Sequence, residues 1–476
     1  MKTLSRKLAL GLLFAVSCSD AARPGVAGSG GGAGGGNGGG AAGPMGLGVG
    51  DVPATVPRTR PISADCQAAI PGYGPGGMTV VSTKPHTDGY PEASLDLPDV
   101  GKRVADPDFK TCLVRATPRG WMNGYSRFSA FNADASKLLV RKDGGEWFVL
   151  AADQLGEPML AVGAAGDDAA ARWHGTDPNV LFYLQDRRLM RRDLRMPAAT
   201  VAFDPTAKAL ASCQLSSLSV GGSEGEASAG SRFWGFFAET TGGCLGGQNH
   251  FVTVDLETGD TFQHTLPSGV EPPDNSSMSV TGKYFVANYQ VTPCNDGRKG
   301  TFQSPCGLMA YPRSLDSAKM VHPAPGHHDE ALSKEGHDLA VVKSNSTDFI
   351  EAVDFETGEN IQIAALSLSP PAWDYHISGN SWAMPGWVLL SEDSHDANAH
   401  YLNRQIVAVE IAPAERARVI HLAHHRTRST EYWTQESHAS VNHDFSRVAF
   451  HTNWYGGSAE GQNVMMLIEL PLGLIR

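Results

Sequence analysis

The sequence predicts an all-β protein, a seven-bladed β-propeller closed by an N-terminal strand, and three observations carry that reading. The body has no long amphipathic helix pattern, a short apolar strand recurs at a nearly regular interval, and a second phrase recurs one strand later. The recurring strands are Leu138-Leu-Val, Val180-Leu-Phe-Tyr, Phe233-Trp-Gly-Phe-Phe, Tyr284-Phe-Val-Ala, Leu339-Ala-Val-Val, Val388-Leu-Leu and Val448-Ala-Phe. Their starts lie 42 to 60 residues apart, the spacing of a four-stranded blade with loop insertions.

The second phrase gives the next strand of each blade. Phe251-Val-Thr-Val-Asp-Leu-Glu-Thr-Gly-Asp260 and Ile350-Glu-Ala-Val-Asp-Phe-Glu-Thr-Gly-Glu359 are close copies, alternating apolar and polar up to a glycine turn. Glu146-Trp-Phe-Val-Leu, Gln405-Ile-Val-Ala-Val and Asn463-Val-Met-Met-Leu-Ile are weaker copies. After Leu470 six residues remain, too few for a turn and a fourth strand, so the seventh blade needs Thr111-Cys-Leu-Val-Arg115 to complete it. Such closure removes two exposed sheet edges. The competing architecture is a six-bladed ring or an irregular β-sandwich.

The first 61 residues read differently. Lys2, Arg6 and Lys7 precede the apolar run Leu8–Val16, a secretory signal (residues 1–17) too short to span a bilayer. Ala15-Val-Ser-Cys18 resembles a bacterial lipobox, which makes Cys18 the acylated N-terminus of the mature chain. Of 54 glycines, 16 fall in residues 1–50, and this stretch with the Pro-rich residues 52–61 reads as a flexible tether over 18–61. The propeller is then expected over 62–476, in the bacterial cell envelope on the periplasmic or outer surface, touching the membrane only through Cys18. Six further cysteines suit an oxidising compartment; the expected bridges are Cys294–Cys306, Cys213–Cys244 and Cys66–Cys112, and no CxxC pair offers a thiolate metal site. A net charge of −12, without a long basic run, argues against nucleic-acid binding. A monomer is expected.

Chemistry concentrates where inner strands should begin. Arg127, Arg172, His327, His376 and His438 precede their blades' apolar strands by 8 to 12 residues, which sets them at similar heights around a central funnel. Imidazole and guanidinium groups gathered there suit an anionic ligand, and neutral His with an amide oxygen suits a divalent transition metal. Gln435, three residues before His438, supplies that amide. His424-His425 reads as a solvated rim pair, and the other histidines, His443 and His451 included, as ordinary hydrogen-bonded residues.

Gly326-His-His-Asp329, His376-Ile-Ser-Gly379, Pro385-Gly-Trp-Val-Leu-Leu-Ser391, Tyr432-Trp-Thr-Gln-Glu-Ser-His-Ala-Ser440 and Val448-Ala-Phe-His-Thr-Asn-Trp454 resemble the oligogalacturonate lyase family of seven-bladed propellers, with weaker support from Tyr125–Asp134. The resemblance is strongest over residues 326–456. It implies β-elimination on uronate-containing oligosaccharides with Mn²⁺ as cofactor. Carried over residue by residue, it implies His376, Gln435 and His438 as metal ligands and His327 as the base. Arg127 and Arg172 are expected to neutralise neighbouring uronates. The family motif continues Gln-x-x-His-x-His, and the last position here is Ser440. The alternative function is a non-catalytic surface propeller that binds an anionic glycan or a protein, and a third is a purely structural lipoprotein.

Overall fold

The computed structural model describes residues 50–73, 82–83, 91–165, 171–222, 224–244, 249–294, 298–347, 349–365, 374–393, 402–428, 436–456 and 461–475. All belong to the compact unit Gly46–Arg476; the signal, Cys18 and the glycine-rich stretch expected to be flexible lie outside the described residues. Seven antiparallel sheets follow one another along the chain. Blade one is Trp121–Met122, Lys137–Lys142, Glu146–Ala151 and Pro158–Ala165, and blades two to six repeat that order with inner strands beginning at Arg172, Gln214, Asn275, Pro325 and Asp374. Blade seven runs Ser440–Val441, Arg447–Thr452, Val464–Glu469, then Cys112–Arg115 and Arg103–Ala105 from the N-terminal side. The closing strand was expected at Thr111–Arg115, and its pairing is explicit: Leu113 lies opposite Ile468 and Arg115 opposite Met466.

The apolar strands form because both faces of each sheet are covered. In blade six Val388 and Leu390 pack toward blade five, whereas Trp387 and Leu389 pack toward blade seven. In blade five Val341 faces blade six, and Ala340 and Val342 face blade four. A strand buried on both faces is apolar at successive positions rather than alternating, which is why these strands read as unbroken runs. Seven of the apolar clusters accordingly lie one between each pair of neighbouring blades, including one that joins blade seven to blade one through Val114, Leu138, Ala449 and Met465.

The repeated turns are built alike. Asp255 Oδ1 accepts from the Glu257 amide at 2.9 Å and Asp354 Oδ1 from the Glu356 amide at 2.7 Å, while Gly259 and Gly358 take φ of 76° and 75°. Only glycine adopts that conformation without steric cost. A further pair, Asn132-Ala-Asp-Ala-Ser136 and Asn442-His-Asp-Phe-Ser446, links the inner strand to the next one in blades one and seven. Asn132 Oδ1 and Asn442 Oδ1 each accept an amide five residues on at 2.9 Å, and Asp134 and Asp444 each cap an amide two residues on.

These turns mark the lower end of the channel, where the inner strands finish. A segment expected to be flexible tether lies against them, which moves the tether boundary back from residue 61. Asp51 accepts from Ser228 Oγ at 2.6 Å and the Arg232 amide at 3.0 Å, its own amide donates to the Thr281 carbonyl at 2.8 Å, Thr59 bonds Asp444, and the Arg60 amide donates to the Asp134 carbonyl at 3.2 Å. Residues 51–60 therefore join blades three and four to blades seven and one. Composition missed this because backbone groups and a single carboxylate make most of the contacts.

All three disulfides pair as expected: Cys66–Cys112, Cys213–Cys244 and Cys294–Cys306. The first ties the short helix Ala64–Ala69, capped by Ser63, to the closing strand. Tyr73 beside it donates to the Glu469 carbonyl and accepts from the Cys112 amide at 3.1 Å.

Leu113 is fully buried between blades six and seven, so Leu113→Ala should cost about 2–5 kcal/mol. Leu472, 43% exposed, should tolerate Ala within about 0.5 kcal/mol. Urea unfolding followed by tryptophan fluorescence compares them; equal midpoints would mean that the closing strand contributes little to the ring.

Candidate metal centre in the channel mouth

Three histidines expected at similar heights do come together at the upper end of the channel. In the inner strand Asp374–Ser378, Tyr375 and Ile377 turn into the core between blades five and six, so strand alternation sends His376 the other way. His327 stands in blade five beside an irregularity of register between Pro325 and His328, and its ring stacks on His376 with centroids 4.8 Å apart at 20°. His438 immediately precedes the inner strand of blade seven, with φ of 34°, and its ring meets that of His376 edge-on at 4.2 Å.

Gln435, expected as the third donor, lies outside the described residues; among the described residues the group that joins the two imidazoles is its neighbour Glu436. Glu436 Oε2 lies 2.7 Å from His376 Nε2 and 3.4 Å from His438 Nε2. The ligand atoms of all three lie within 4.8 Å of one another. Cys213, Cys244 and His250 are also close together, but the two cysteines are bonded to each other and offer no thiolate.

The surroundings hold these groups in defined states. Burial, with His376 beside it, pushes His438 well below the usual histidine range, against the opposing pull of Glu436. A neutral imidazole is what a metal ligand requires. Asn123 of blade one donates to the Gly124 and His438 carbonyls at 3.0 and 2.8 Å, which leaves its Oδ1 to accept from His451 Nδ1 at 2.8 Å. That fixes the His451 tautomer with its lone pair on Nε2, and its ring lies 5.1 Å from that of His438. His451 was set aside in the sequence, although it shares strand parity with Ala449, which faces blade one. His327 Nδ1 donates to the Tyr375 carbonyl at 3.2 Å. Tyr125 closes the cluster, its ring 4.8 Å from His438, 5.3 Å from His376 and 6.4 Å from His327. Ser440 is fully buried, and its Oγ makes no hydrogen bond among the described residues.

Arg127 and Arg172 do not serve as expected. Both are 1% exposed and held by the protein itself. Arg127 donates to Asn275 Oδ1 at 2.6 Å and pairs with Glu224 at 3.4 Å. Arg172 lies 3.4 Å over the Phe128 ring, donates to the Gly225 carbonyl at 3.0 Å and faces Glu226 at 3.8 Å. Burial pushes Arg172 down to about 10 and Glu226 up to about 8, each opposed by the other's charge. The guanidinia tie blades one and two to blades three and four, and the acids responsible sit between the first two strands of blade three rather than near either arginine in sequence. The pair His424-His425 is likewise buried rather than solvated: His424 faces Asp108 at 3.0 Å, and His425 Nε2 donates to the Glu392 carbonyl at 2.6 Å.

Among the described residues, two imidazoles and a carboxylate from two blades are a donor set that could hold a divalent metal. Metal at about 100 times its Kd adds about 2.7 kcal/mol to a native state that alone binds it. Mn²⁺ should therefore raise the melting temperature of the chelator-treated protein, and His376→Ala and Glu436→Gln should each remove most of the shift. An undiminished shift in both variants would place the metal elsewhere.

No protein-family model matches the chain, and no curated protein matches it. Among solved structures it is similar to the Neurospora crassa Pan2 WD40 domain, at 12% identity and a TM-score of 0.43 over 75% of this chain and 95% of that one. It is similar also to the Myceliophteria thermophila Cps50 (Swd1) β-propeller domain, at 12% and 0.33 over 63% and 82%, and to TolB from Acinetobacter baumannii, at 14% and 0.32 over 63% of each. These likenesses concern the fold alone, and the strand order makes this chain a seven-bladed β-propeller.

Proposed function

We propose that the channel mouth binds a divalent first-row metal, Mn²⁺ by resemblance, through His376, Glu436 and His438, and cleaves uronate-containing oligosaccharides by β-elimination. The observation that carries this reading is the approach of both imidazole Nε2 atoms to one carboxylate oxygen, with His327 stacked alongside. Glu436 then supplies the donor that Ser440 cannot. When bound, the cation would offset the negative charge that builds on the uronate carboxylate as the adjacent proton leaves.

His327 is the base. With Nδ1 directed at the Tyr375 carbonyl, Nε2 is the nitrogen that would take the C5 proton. The C–H electron pair becomes the C4–C5 double bond, the bond from C4 to the glycosidic oxygen breaks, and the leaving oxygen takes a proton from water. Arg127 and Arg172 have no part in the step.

A second reading, a propeller that binds an anionic glycan without cleaving it, is favoured by Ser440 and by the internal pairing of both arginines. The two separate in one assay, because elimination creates a conjugated double bond that absorbs in the ultraviolet. A uronate oligosaccharide panel with Mn²⁺ should give absorbance that chelator abolishes and that His327→Ala lowers by at least about 10²-fold. Binding without absorbance across the panel would leave the glycan-binding reading.

Location in the cell envelope with Cys18 acylated belongs to the same proposal, and three disulfides support an oxidising compartment. Cys18→Ala should move the protein from the membrane to the soluble fraction. Unaltered fractionation would exclude the anchor.

A further inference from the structure

The upper rim carries positive charge on one side. Although the chain has a net charge of −12, cations gather where blade seven meets blade one. Arg119 and Arg428 converge on a single turn, residues 453–456. Arg119 Nη1 donates to the Asn453 carbonyl at 3.4 Å and the Gln462 carbonyl at 2.7 Å. The Arg428 amide donates to Asn453 Oδ1 at 2.9 Å, and Asn453 Nδ2 donates back to the Arg428 carbonyl. The Arg428 guanidinium lies 4.5 Å over the Tyr455 ring, and Lys142 Nζ lies 5.9 Å over the Trp121 ring. Arg119, Lys142 and Arg428 are exposed, and both rings are half-buried. Asp143, against Gly120 and Gly461, offsets part of this charge.

This patch is joined to the metal centre by two short runs of chain. Trp121 stands two residues before Asn123, and Asn453 two residues after His451; Asn123 and His451 bond each other beside His438. Two extended residues span roughly 7 Å. Backbone carbonyls hold the Arg119 guanidinium in place, and such carbonyls leave a cation's charge uncompensated. Cations held over aromatic rings at the surface suit a ligand that carries carboxylates.

We propose that Arg119, Lys142 and Arg428, with Trp121 and Tyr455, form a subsite for the residues of an anionic oligosaccharide next to the one at the metal. The ligand then runs outward over blades seven and one, and the protein selects a chain over a single sugar. The inference rests on the function proposed above, and the test separates the two. Calorimetric titration of the Mn²⁺-loaded full chain with galacturonate and with trigalacturonate should show the trimer binding at least about tenfold more tightly, an advantage that shrinks as salt is raised. In Arg119→Gln/Arg428→Gln the ratio of the two affinities should fall toward one. Lys142→Gln, which removes none of the backbone hydrogen bonds described here, should lower it partway even if the double variant folds poorly. Equal affinities in the unaltered protein, or a ratio that survives every substitution, would overturn the subsite and leave the metal-centred function standing. Failure of both sugars to bind would overturn the function and the subsite with it.

Discussion

The pairing of Cys112–Arg115 with Val464–Glu469 is the constraint on which the ring depends. Each sheet hides its two faces against its neighbours, so the apolar surface is covered only when the first blade meets the last. Without that pairing, the outer edge of Val464–Glu469 and the faces of blades one and seven would stand in water together. The structure reinforces the seam with a disulfide at Cys112, the Tyr73 contacts to Glu469 and Cys112, and the buried cluster around Val114 and Met465. Residues 51–60 fasten the opposite end of the channel across the same seam. The N-terminal side of the fold works largely as a clasp.

The parts of this fold that were legible in the sequence are those where burial dictates composition. A strand covered on both faces must be apolar at successive positions, so seven such strands appeared as seven runs, and the absent final strand pointed to Thr111–Arg115 by elimination. Inner strands were nearly invisible. Trp121–Met122, Arg172–Trp173 and Ser440–Val441 have two residues each and line a polar channel, so no hydrophobic period marks them. The histidines were found through their constant offset from the apolar strands. Glu436 was missed in favour of its neighbour, and His451 because it stands in a strand that otherwise reads as core.

The arginines show why residue type alone misleads. Arg127 and Arg172 had the spacing expected of ligand-binding groups, but loop 220–232 brings Glu224 and Glu226 to them, and burial turns each pair inward. A buried guanidinium needs a partner or its desolvation is uncompensated. Exposed cations face no such demand, and the rim can keep charges that the channel interior must neutralise. The result is a sorting by depth: paired charges in the interior, imidazoles with one carboxylate at the mouth, and exposed cations outside.

Asn123 belongs to blade one, yet it holds the backbone of His438 and the ring of His451, both in blade seven. The chemistry thus straddles the seam, and this sets its place in the order of synthesis. Residues separated by more than 300 positions must meet before these histidines are oriented, a contact among the slowest a chain can make. A growing chain can complete blades two to five, and close the Cys66–Cys112 bridge, while its last sheet is still unmade. The mouth becomes competent only when the C-terminal strands arrive, so incomplete chains, however well folded elsewhere, carry no assembled site.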